Sequence, residues 1–273
     1  NIPFIGVIGN NADNHPLIIF DRPKSSIAES FRAIRSNLSF LFKRKDKEED
    51  TSKILMVTSS VGGEGKTFVS MNMSAAFAIS GKKTILLGMD LRKPKIFDDF
   101  EINNKKGLSN YLSGNSSLDD VIQKSKIDTL DIITGGPIPP NPSELLLLDR
   151  LGELIAELRK EYEFIVLDTP PIVLVSDAFD LMEYADATLY VTRFDYTYRG
   201  LLQLISDKYD EGKVKNIGIV LNDFQANGSY GYGYGYGYRY GYGYGYFEED
   251  ADFDPSVVGK IKRIFSLKRY LKR

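Results

Sequence analysis

The sequence contains no cysteine and no tryptophan, and His15 is its single histidine. The lack of cysteine excludes disulfides, thiolate nucleophiles, cysteine-held iron–sulfur clusters and cysteine zinc sites. One histidine excludes a multi-histidine metal site, and a histidine-based triad would have to use His15. Apart from His15, any nucleophile or metal ligand must therefore be a side chain other than cysteine or histidine.

Long hydrophobic runs and an excess of one charge are also missing. No apolar run approaches the roughly 18 residues needed to span a membrane, and we expect no signal peptide. The 35 basic and 37 acidic residues leave a formal charge of −2, which gives no general reason to expect a nucleic acid partner. A hydrophobic content of 42% over 273 residues can bury a sizeable core. We expect a soluble, cytoplasmic globular protein.

Tyrosine is in excess, and it is unevenly distributed. Nine of the 17 tyrosines lie within residues 230–246, where they alternate mostly with glycine. They are Tyr230, Tyr232, Tyr234, Tyr236, Tyr238, Tyr240, Tyr242, Tyr244 and Tyr246. Ordering so glycine-rich a block would cost more conformational entropy than its few contacts return. We therefore predict a disordered, tyrosine-rich and acidic tail over residues 225–255, followed by a basic segment over 256–273.

The rest of the chain alternates between helical and strand patterns. We expect an extended lead-in over residues 1–25, a helix over 26–42 and a charged, solvated loop over 43–50. The predicted strands lie at 53–58, 83–89, 130–134, 164–167, 187–191 and 217–221. The predicted helices between them lie at 66–80, 142–162, 177–184 and 199–209, with Asn141 capping the second. This pattern predicts one α/β domain over 26–224, with a mostly parallel sheet covered by helices on both faces.

The first of these strands runs into residues 59–67, SSVGGEGKT, where a helix begins. This is the phosphate-loop pattern, in which main-chain N–H groups converge on phosphates at a helix N-terminus. Lys66 is expected to pair with the β- and γ-phosphates and Thr67 to ligate Mg²⁺. The predicted cofactors are therefore ATP and Mg²⁺, and the predicted nucleotide-binding residues are Gly62, Gly63, Glu64, Gly65, Lys66 and Thr67.

Two more apolar strands end in acidic residues. The run FIVLD places Asp168 at the carboxyl end of its strand, where it can hold Mg²⁺, usually through water. The run ILLGMDLR carries Asp90 and Arg92 after another strand. Together with the phosphate loop, these acids predict a P-loop nucleotide site.

In this last motif the sequence resembles the bacterial tyrosine kinases (BY-kinases), whose second acidic motif reads Asp-x-Asp-x-Arg after an apolar run. Asp90 and Arg92 match it, while Gly88 stands in place of the first aspartate. The resemblance implies catalytic roles for Lys66, Asp90, Arg92 and Asp168, and metal ligation by Thr67, Asp90 and Asp168. Either Asp90 or another group then serves as the base, or activity is reduced.

A second function class is a membrane-associated ATPase switch of the partitioning and septum-positioning type, with the basic segment 256–273 as lipid anchor. Those proteins carry a signature lysine at the start of the phosphate loop. Val61 occupies that position here, which favours the kinase interpretation.

The BY-kinase resemblance also gives the helix over 26–42 and the tail a role. Glu29, Arg32 and Arg35 form an E-x-x-R-x-x-R pattern, which in that family meets the neighbouring subunit of a ring, an octamer by that resemblance. The nine tail tyrosines correspond to the phosphoacceptor cluster. A self-associating low-complexity segment or a stacking platform for RNA are the other interpretations of this tail.

The same resemblance implies a larger setting. The parent protein would carry a transmembrane activator region and regulate capsule or exopolysaccharide export from the cytoplasmic side of the bacterial inner membrane. A phosphotyrosine phosphatase would oppose it.

Overall fold

The computed structural model describes residues 2–42, 52–96, 100, 102–173 and 177–225. Its strands form a single eight-stranded sheet. In chain order the strands are β1 (Phe4–Gly9), β2 (Lys53–Ser59), β3 (Thr84–Gly88), β4 (Ile122–Lys124), β5 (Leu130–Ile133), β6 (Phe164–Asp168), β7 (Ala187–Arg193) and β8 (Ile217–Phe224). The helices of the described residues are α1 (Ile18–Asp21), α2 (Ser26–Leu38), α3 (Lys66–Ile79), α4 (Leu108–Leu112), α5 (Leu118–Val121), α6 (Pro142–Leu146), α7 (Asp149–Glu161), α8 (Asp177–Leu181) and α9 (Arg199–Asp210).

The order of strands brings the predicted motifs together. The sheet runs β1-β8-β7-β2-β6-β3-β5-β4, and every neighbouring pair is parallel except β4 with β5. Parallel strands end at the same edge of a sheet, and β2, β6 and β3 are direct neighbours. The loop after β2, the acidic residue that ends β6 and the acidic residue that follows β3 therefore lie side by side.

Helices cover both faces of the sheet, as predicted. Along β2, Leu55 and Val57 belong to the core shared with α2 and α3, whereas Ile54 and Met56 belong to the core shared with α7 and α9. All four side chains are fully buried. A strand buried on both sides reads as a continuous apolar run, which is what residues 54–57 show.

The predicted extended lead-in over residues 1–25 is an integral part of the domain. Phe4–Gly9 forms β1, which pairs in parallel with β8 at the edge of the sheet. Ile5 and Ile8 of this strand are buried in the core. The segment is ordered because it covers the otherwise open edge of β8 and buries apolar side chains against α2.

The single helix predicted over residues 142–162 is wrong, because the structure has two helices there, α6 and α7. Leu148 between them has extended backbone angles, and Asn141 makes no side-chain capping bond. Residues 145–148 are four consecutive leucines, which one helix cannot turn toward a single core. Leu145 and Leu146 are buried, while Leu147 and Leu148 are exposed.

The other predicted elements occur within a few residues of their expected bounds, and the helix predicted over 26–42 ends at Leu38. The loop over 43–50, the basic segment 256–273 and all of the tail except Gln225 lie outside the described residues. None of the described helices is long and apolar enough to cross a membrane.

Candidate active site

The phosphate-loop sequence forms the turn that joins β2 to α3. Gly63 and Gly65 have φ angles of +88° and +92°, in the left-handed region that favours glycine. A Cβ on Gly65 would lie 2.1 Å from Nδ2 of Asn222 on β8, so a methyl group would collide there. Both glycines are needed for the backbone conformation, and Gly65 also for the close approach of β8.

The loop engages the carbonyl groups of residues 61–64 and leaves the N–H groups of residues 62–65 without a protein acceptor among the described residues. The carbonyl oxygens of residues 61–64 each accept a hydrogen bond from a side chain. The donors are Ser59 Oγ, Tyr196 Oη, Arg193 Nη1 and Asn222 Nδ2. Within the described part of the chain, the N–H groups of residues 62–65 donate to no protein atom. Such free donors next to the N-terminus of α3 fit the oxygens of a phosphate group.

Glu64, a predicted nucleotide-binding residue, is fully buried. Its Oε2 accepts a hydrogen bond of 2.8 Å from the N–H of Val61, and its Oε1 accepts one from the hydroxyl of Thr197. Because the carboxylate is engaged in bracing the loop, the part of Glu64 that can serve a phosphate is its main-chain N–H.

Lys66 and Asp90 form an ion pair at the start of α3. Nζ of Lys66 lies 3.1 Å from Oδ2 of Asp90, and the two side chains are only 14% and 12% exposed. The other oxygen of Asp90 accepts a hydrogen bond of 3.1 Å from the N–H of Lys93. The loop after β3 thus holds the Asp90 carboxylate against the phosphate-loop lysine.

Thr67 and Asp168 form the second contact. The Thr67 hydroxyl donates to Oδ2 of Asp168 at 2.9 Å, while Oδ1 of Asp168 is buried and has no hydrogen-bond partner among the described residues. The pKa of Asp168 is raised to about 6, mainly by burial and also by the nearby charge of Asp90. Lys66 and the hydrogen bond from Thr67 oppose this rise. The aspartate is therefore a buried carboxylate that protein hydrogen bonds stabilise only in part.

These residues fit a magnesium ion. The hydroxyl of Thr67 and the carboxylates of Asp168 and Asp90 are the hard oxygen ligands that Mg²⁺ prefers, and the unpartnered Oδ1 of Asp168 is available to a cation. The described residues contain no cluster of three or more acidic, histidine or cysteine side chains that would enclose a metal. Mg²⁺ held here would complete its octahedral shell with water and phosphate oxygens, which is its usual behaviour.

Gly88, where the BY-kinase motif has its first aspartate, ends β3 in register with Asp168. A Cβ at this position would lie 3.0 Å from the main-chain nitrogen of Gly135 and 3.3 Å from Cδ1 of Ile96. The surrounding backbone therefore leaves little room for a carboxylate at position 88. Arg92 lies further along the same loop, and its Nη2 donates to the Ser143 hydroxyl on α6 at 2.5 Å.

The three charged residues Glu29, Arg32 and Arg35 of α2 already make contacts within the chain. Glu29 and Arg32 form an ion pair of 2.8 Å, and Arg32 also donates to the carbonyl of Pro23. Arg35 instead donates to the carbonyl of Ala76 and so joins α2 to α3. The nine predicted phosphoacceptor tyrosines, Tyr230 to Tyr246, lie outside the described residues.

Functional residues at the carboxyl ends of β7 and β8 were not predicted from the sequence. Nε of Arg193 donates to Asp223 at 2.8 Å, and both side chains line a cavity of about 330 Å³ beside the phosphate loop. Asn222, Phe68 and Met71 also border this cavity. A signal was present, because polar residues that follow apolar strands lie at the edge where the phosphate loop lies.

Comparison with known proteins places this site in a family. A family model described as an AAA domain matches residues 52–216. The putative tyrosine-protein kinase CapB of Staphylococcus aureus is 40% identical over 163 residues, which cover 60% of this chain and 69% of CapB. The tyrosine-protein kinase YwqD of Bacillus subtilis is 35% identical, over 76% of this chain and 85% of YwqD. The tyrosine-protein kinase Etk of Escherichia coli is 36% identical over 77% of this chain, which spans only 28% of Etk.

Solved structures agree with these relatives. The kinase domain of Escherichia coli Etk matches with a TM-score of 0.74 and 34% identity, over 86% of this chain and 95% of that domain. The chimerical protein CapA2B2 matches with a TM-score of 0.72 and 33% identity, over 82% and 95%. The septum site-determining protein MinD of Pyrococcus horikoshii, at 24% identity and a TM-score of 0.53 over 63% of this chain, shares the fold. The chain belongs to the bacterial tyrosine-protein kinase family.

Proposed function

We propose that this chain transfers the γ-phosphoryl group of ATP to tyrosines 230–246 of a second copy of itself. The observation that carries the proposal is the meeting of Lys66–Asp90 and Thr67–Asp168 beside a loop whose N–H groups are free. A nucleotide site of this kind and a cluster of nine tyrosines occur in one chain of a tyrosine-protein kinase family. The cofactors are ATP and Mg²⁺.

Positioning and charge neutralisation would supply most of the catalysis. The free N–H groups of residues 62–65 bind phosphate oxygens, and Lys66 offsets their negative charge. Thr67, Asp168 and Asp90 would hold Mg²⁺, which would neutralise charge on the transferring phosphate. Arg92, which follows Asp90 in the loop after β3, would supply a further positive charge.

Asp90 is the best candidate for the base that accepts the proton of the acceptor hydroxyl. In the nucleotide-free chain its Oδ2 pairs with Lys66. When Lys66 turns to phosphate oxygens this ion pair opens, and Oδ2 becomes free to accept a proton. Gly88 has no carboxylate to share the task, so Asp90 would act without the first acid of the related motif.

Transfer between copies is supported by the length of the tail. If a glycine-rich block of 17 residues behaves as its composition predicts, its root-mean-square span would be roughly 21–25 Å, and the residues before it would extend that reach. Glycine beside the acceptors adds no side chain that could obstruct the site, so different tyrosines of the repeat can enter it. Glu29 and Arg32 of α2 would contact the neighbouring subunit of a ring.

The cellular setting is part of the same proposal. One relative, from Klebsiella pneumoniae, is named as a putative tyrosine-protein kinase in the cps region, and this chain spans 30% of it. We place the chain at the cytoplasmic side of the inner membrane, with a transmembrane activator region, a phosphotyrosine phosphatase and polysaccharide export as its context.

Intact-mass measurement after incubation with Mg-ATP tests the proposal. A ladder with steps of about 80 Da, one per phosphate, that is absent from Lys66→Met supports tyrosine transfer once the sites are mapped to residues 230–246. Release of free phosphate without a ladder would instead support the ATPase switch. Mixing Lys66→Met protein with a tail-deleted but otherwise intact chain separates the two routes, because only transfer between copies labels the inactive protein.

A further inference from the structure

The carboxyl end of β7 and the turn that follows it lie against the phosphate loop, and they hold two of its carbonyl groups. Oη of Tyr196 donates to the carbonyl of Gly62 at 3.0 Å, and Nη1 of Arg193 donates to the carbonyl of Gly63, also at 3.0 Å. The two donors lie 130 and 134 positions further along the chain than the carbonyl groups they bind.

Holding a carbonyl group also fixes the N–H group of the next residue. In a planar trans peptide the C=O and the following N–H point in opposite directions, and the described residues contain no cis peptide bond. The bond from Tyr196 to Gly62 therefore sets the direction of the Gly63 N–H. That N–H is one of the four in the loop that donate to no protein atom within the described residues.

The turn that presents Tyr196 is itself well braced. The Thr197 hydroxyl donates to the buried carboxylate of Glu64 and accepts a hydrogen bond of 2.8 Å from the N–H of Arg193. The Arg193 guanidinium lies 5.2 Å from the centre of the Tyr196 ring, within cation–π range, and also binds Asp223. The Arg193 guanidinium thus packs near the tyrosine ring, while the tyrosine hydroxyl reaches the loop.

The fit is close enough to restrict the loop. A Cβ on Gly63 would lie 2.9 Å from Oη of Tyr196. Tyr196 is nevertheless 46% exposed, so packing in the hydrophobic core does not explain the position of its side chain. The hydroxyl is the group that makes the specific contact, and phenylalanine would keep the ring while removing it.

We infer that Tyr196 is a positioning residue of the nucleotide site, whose hydroxyl orients phosphate-loop N–H groups for a nucleoside di- or triphosphate. The inference rests on the nucleotide site of the proposed function and not on tyrosine transfer. It predicts that the hydroxyl increases affinity for the phosphate chain and slows hydrogen exchange of the loop amides when Mg-ADP is bound.

The test compares Tyr196→Phe with Tyr198→Phe, a matched control at a side chain that is 79% exposed. Mg-ADP binding is measured by calorimetry, and amide hydrogen exchange of residues 62–65 is measured in the Mg-ADP complexes at saturating nucleotide. For Tyr196→Phe we expect a two- to tenfold higher Kd for Mg-ADP, the range of one net hydrogen bond, and faster exchange of the loop amides. Tyr198→Phe should match the wild type in both measurements.

Wild-type affinity and loop exchange in Tyr196→Phe would overturn the inference. Equal losses in both variants would also overturn it, because the effect would then belong to surface tyrosines in general. Neither measurement requires phosphoryl transfer, so a weaker Mg-ADP affinity in a chain that labels no tyrosine would leave the inference standing and reject the proposed kinase activity alone.

Discussion

Thr67 and Asp168 are joined by a hydrogen bond of 2.9 Å that reaches only one oxygen of the aspartate. The other oxygen, Oδ1, is buried and has no partner within the described residues. The contact ties the first turn of α3 to the end of β6, and it leaves a carboxylate whose negative charge the protein alone stabilises poorly. This single contact links metal binding, pH dependence and stability.

We predict that Asp168→Asn stabilises the nucleotide-free protein above pH 7 while abolishing phosphorylation. The pKa of Asp168 is raised from 3.8 to about 6, so its protonated form is favoured in the folded state. The stability that this preference contributes is fully present below about pH 4 and is lost as the pH rises through about 6. The loss is on the order of 3 kcal/mol, and an uncharged asparagine would avoid it.

Thermal unfolding between pH 4 and pH 8 measures this effect in the nucleotide-free protein. The gap between variant and wild type should open as the pH rises through 6. Asp128→Asn, at an exposed aspartate, is the matched control and should show no such gap. A variant less stable than wild type at pH 8 would contradict the prediction.

Lys66→Met should abolish tyrosine phosphorylation in a protein that still folds. The substitution removes the cation that faces the transferring phosphate, and it leaves the Asp90 carboxylate without its ion-pair partner at 3.1 Å. We therefore also expect a modest loss of stability, about 1–3 kcal/mol. Labelling with Mg-ATP and circular dichroism measure the two effects, with Lys105→Met at an exposed lysine as the control. Normal labelling of the folded Lys66→Met protein would reject the assignment of Lys66 as the phosphate-loop lysine.

Gly88→Asp should not increase the rate of phosphorylation, even though it restores the acid of the related motif. The new Cβ would press on the main-chain nitrogen of Gly135, 3.0 Å away. Gly88→Ala should therefore already cost about 1–3 kcal/mol of stability, as overpacking typically does. Denaturant unfolding of both variants and their autophosphorylation rates provide the measurements. A faster and equally stable Gly88→Asp enzyme would show that the backbone yields and that a second base was missing.

Arg32→Ala should affect assembly, whereas Arg35→Ala should affect the free energy of unfolding. Arg35 holds the Ala76 carbonyl within the same subunit, so its loss should lower the free energy of unfolding by about 1–2 kcal/mol. Arg32 is engaged at the surface with Glu29 and Pro23, so its loss should weaken assembly and leave stability nearly unchanged. Light scattering over a range of concentrations, paired with thermal unfolding, separates the two. Identical behaviour of the two variants would contradict the assignment.

Sequence alone predicted the parts of the site that depend on local pattern. The residues from Gly62 to Thr67 follow a strand and open a helix, and Asp90 and Asp168 come at the ends of apolar runs, so local pattern was enough to name them as candidates. The contacts of Tyr196 and Asn222 with the loop depend instead on β7 lying beside β2 and on β8 lying beside β7, which no local pattern reveals. The strand Phe4–Gly9 escaped prediction for the same reason, because its partner β8 lies at the other end of the domain.

The carbonyl contacts of the phosphate loop have a consequence for the order of folding. Asn222 holds the carbonyl of Glu64 from 158 positions away, and Tyr196 holds that of Gly62 from 134 positions away. Contacts so distant in sequence form late, because the intervening chain must first be brought together. A nascent chain that has completed β2 and α3 therefore possesses the phosphate-loop sequence but not its shape. Nucleotide binding should appear only after β8 has joined the sheet, and so it would report that the whole domain has folded.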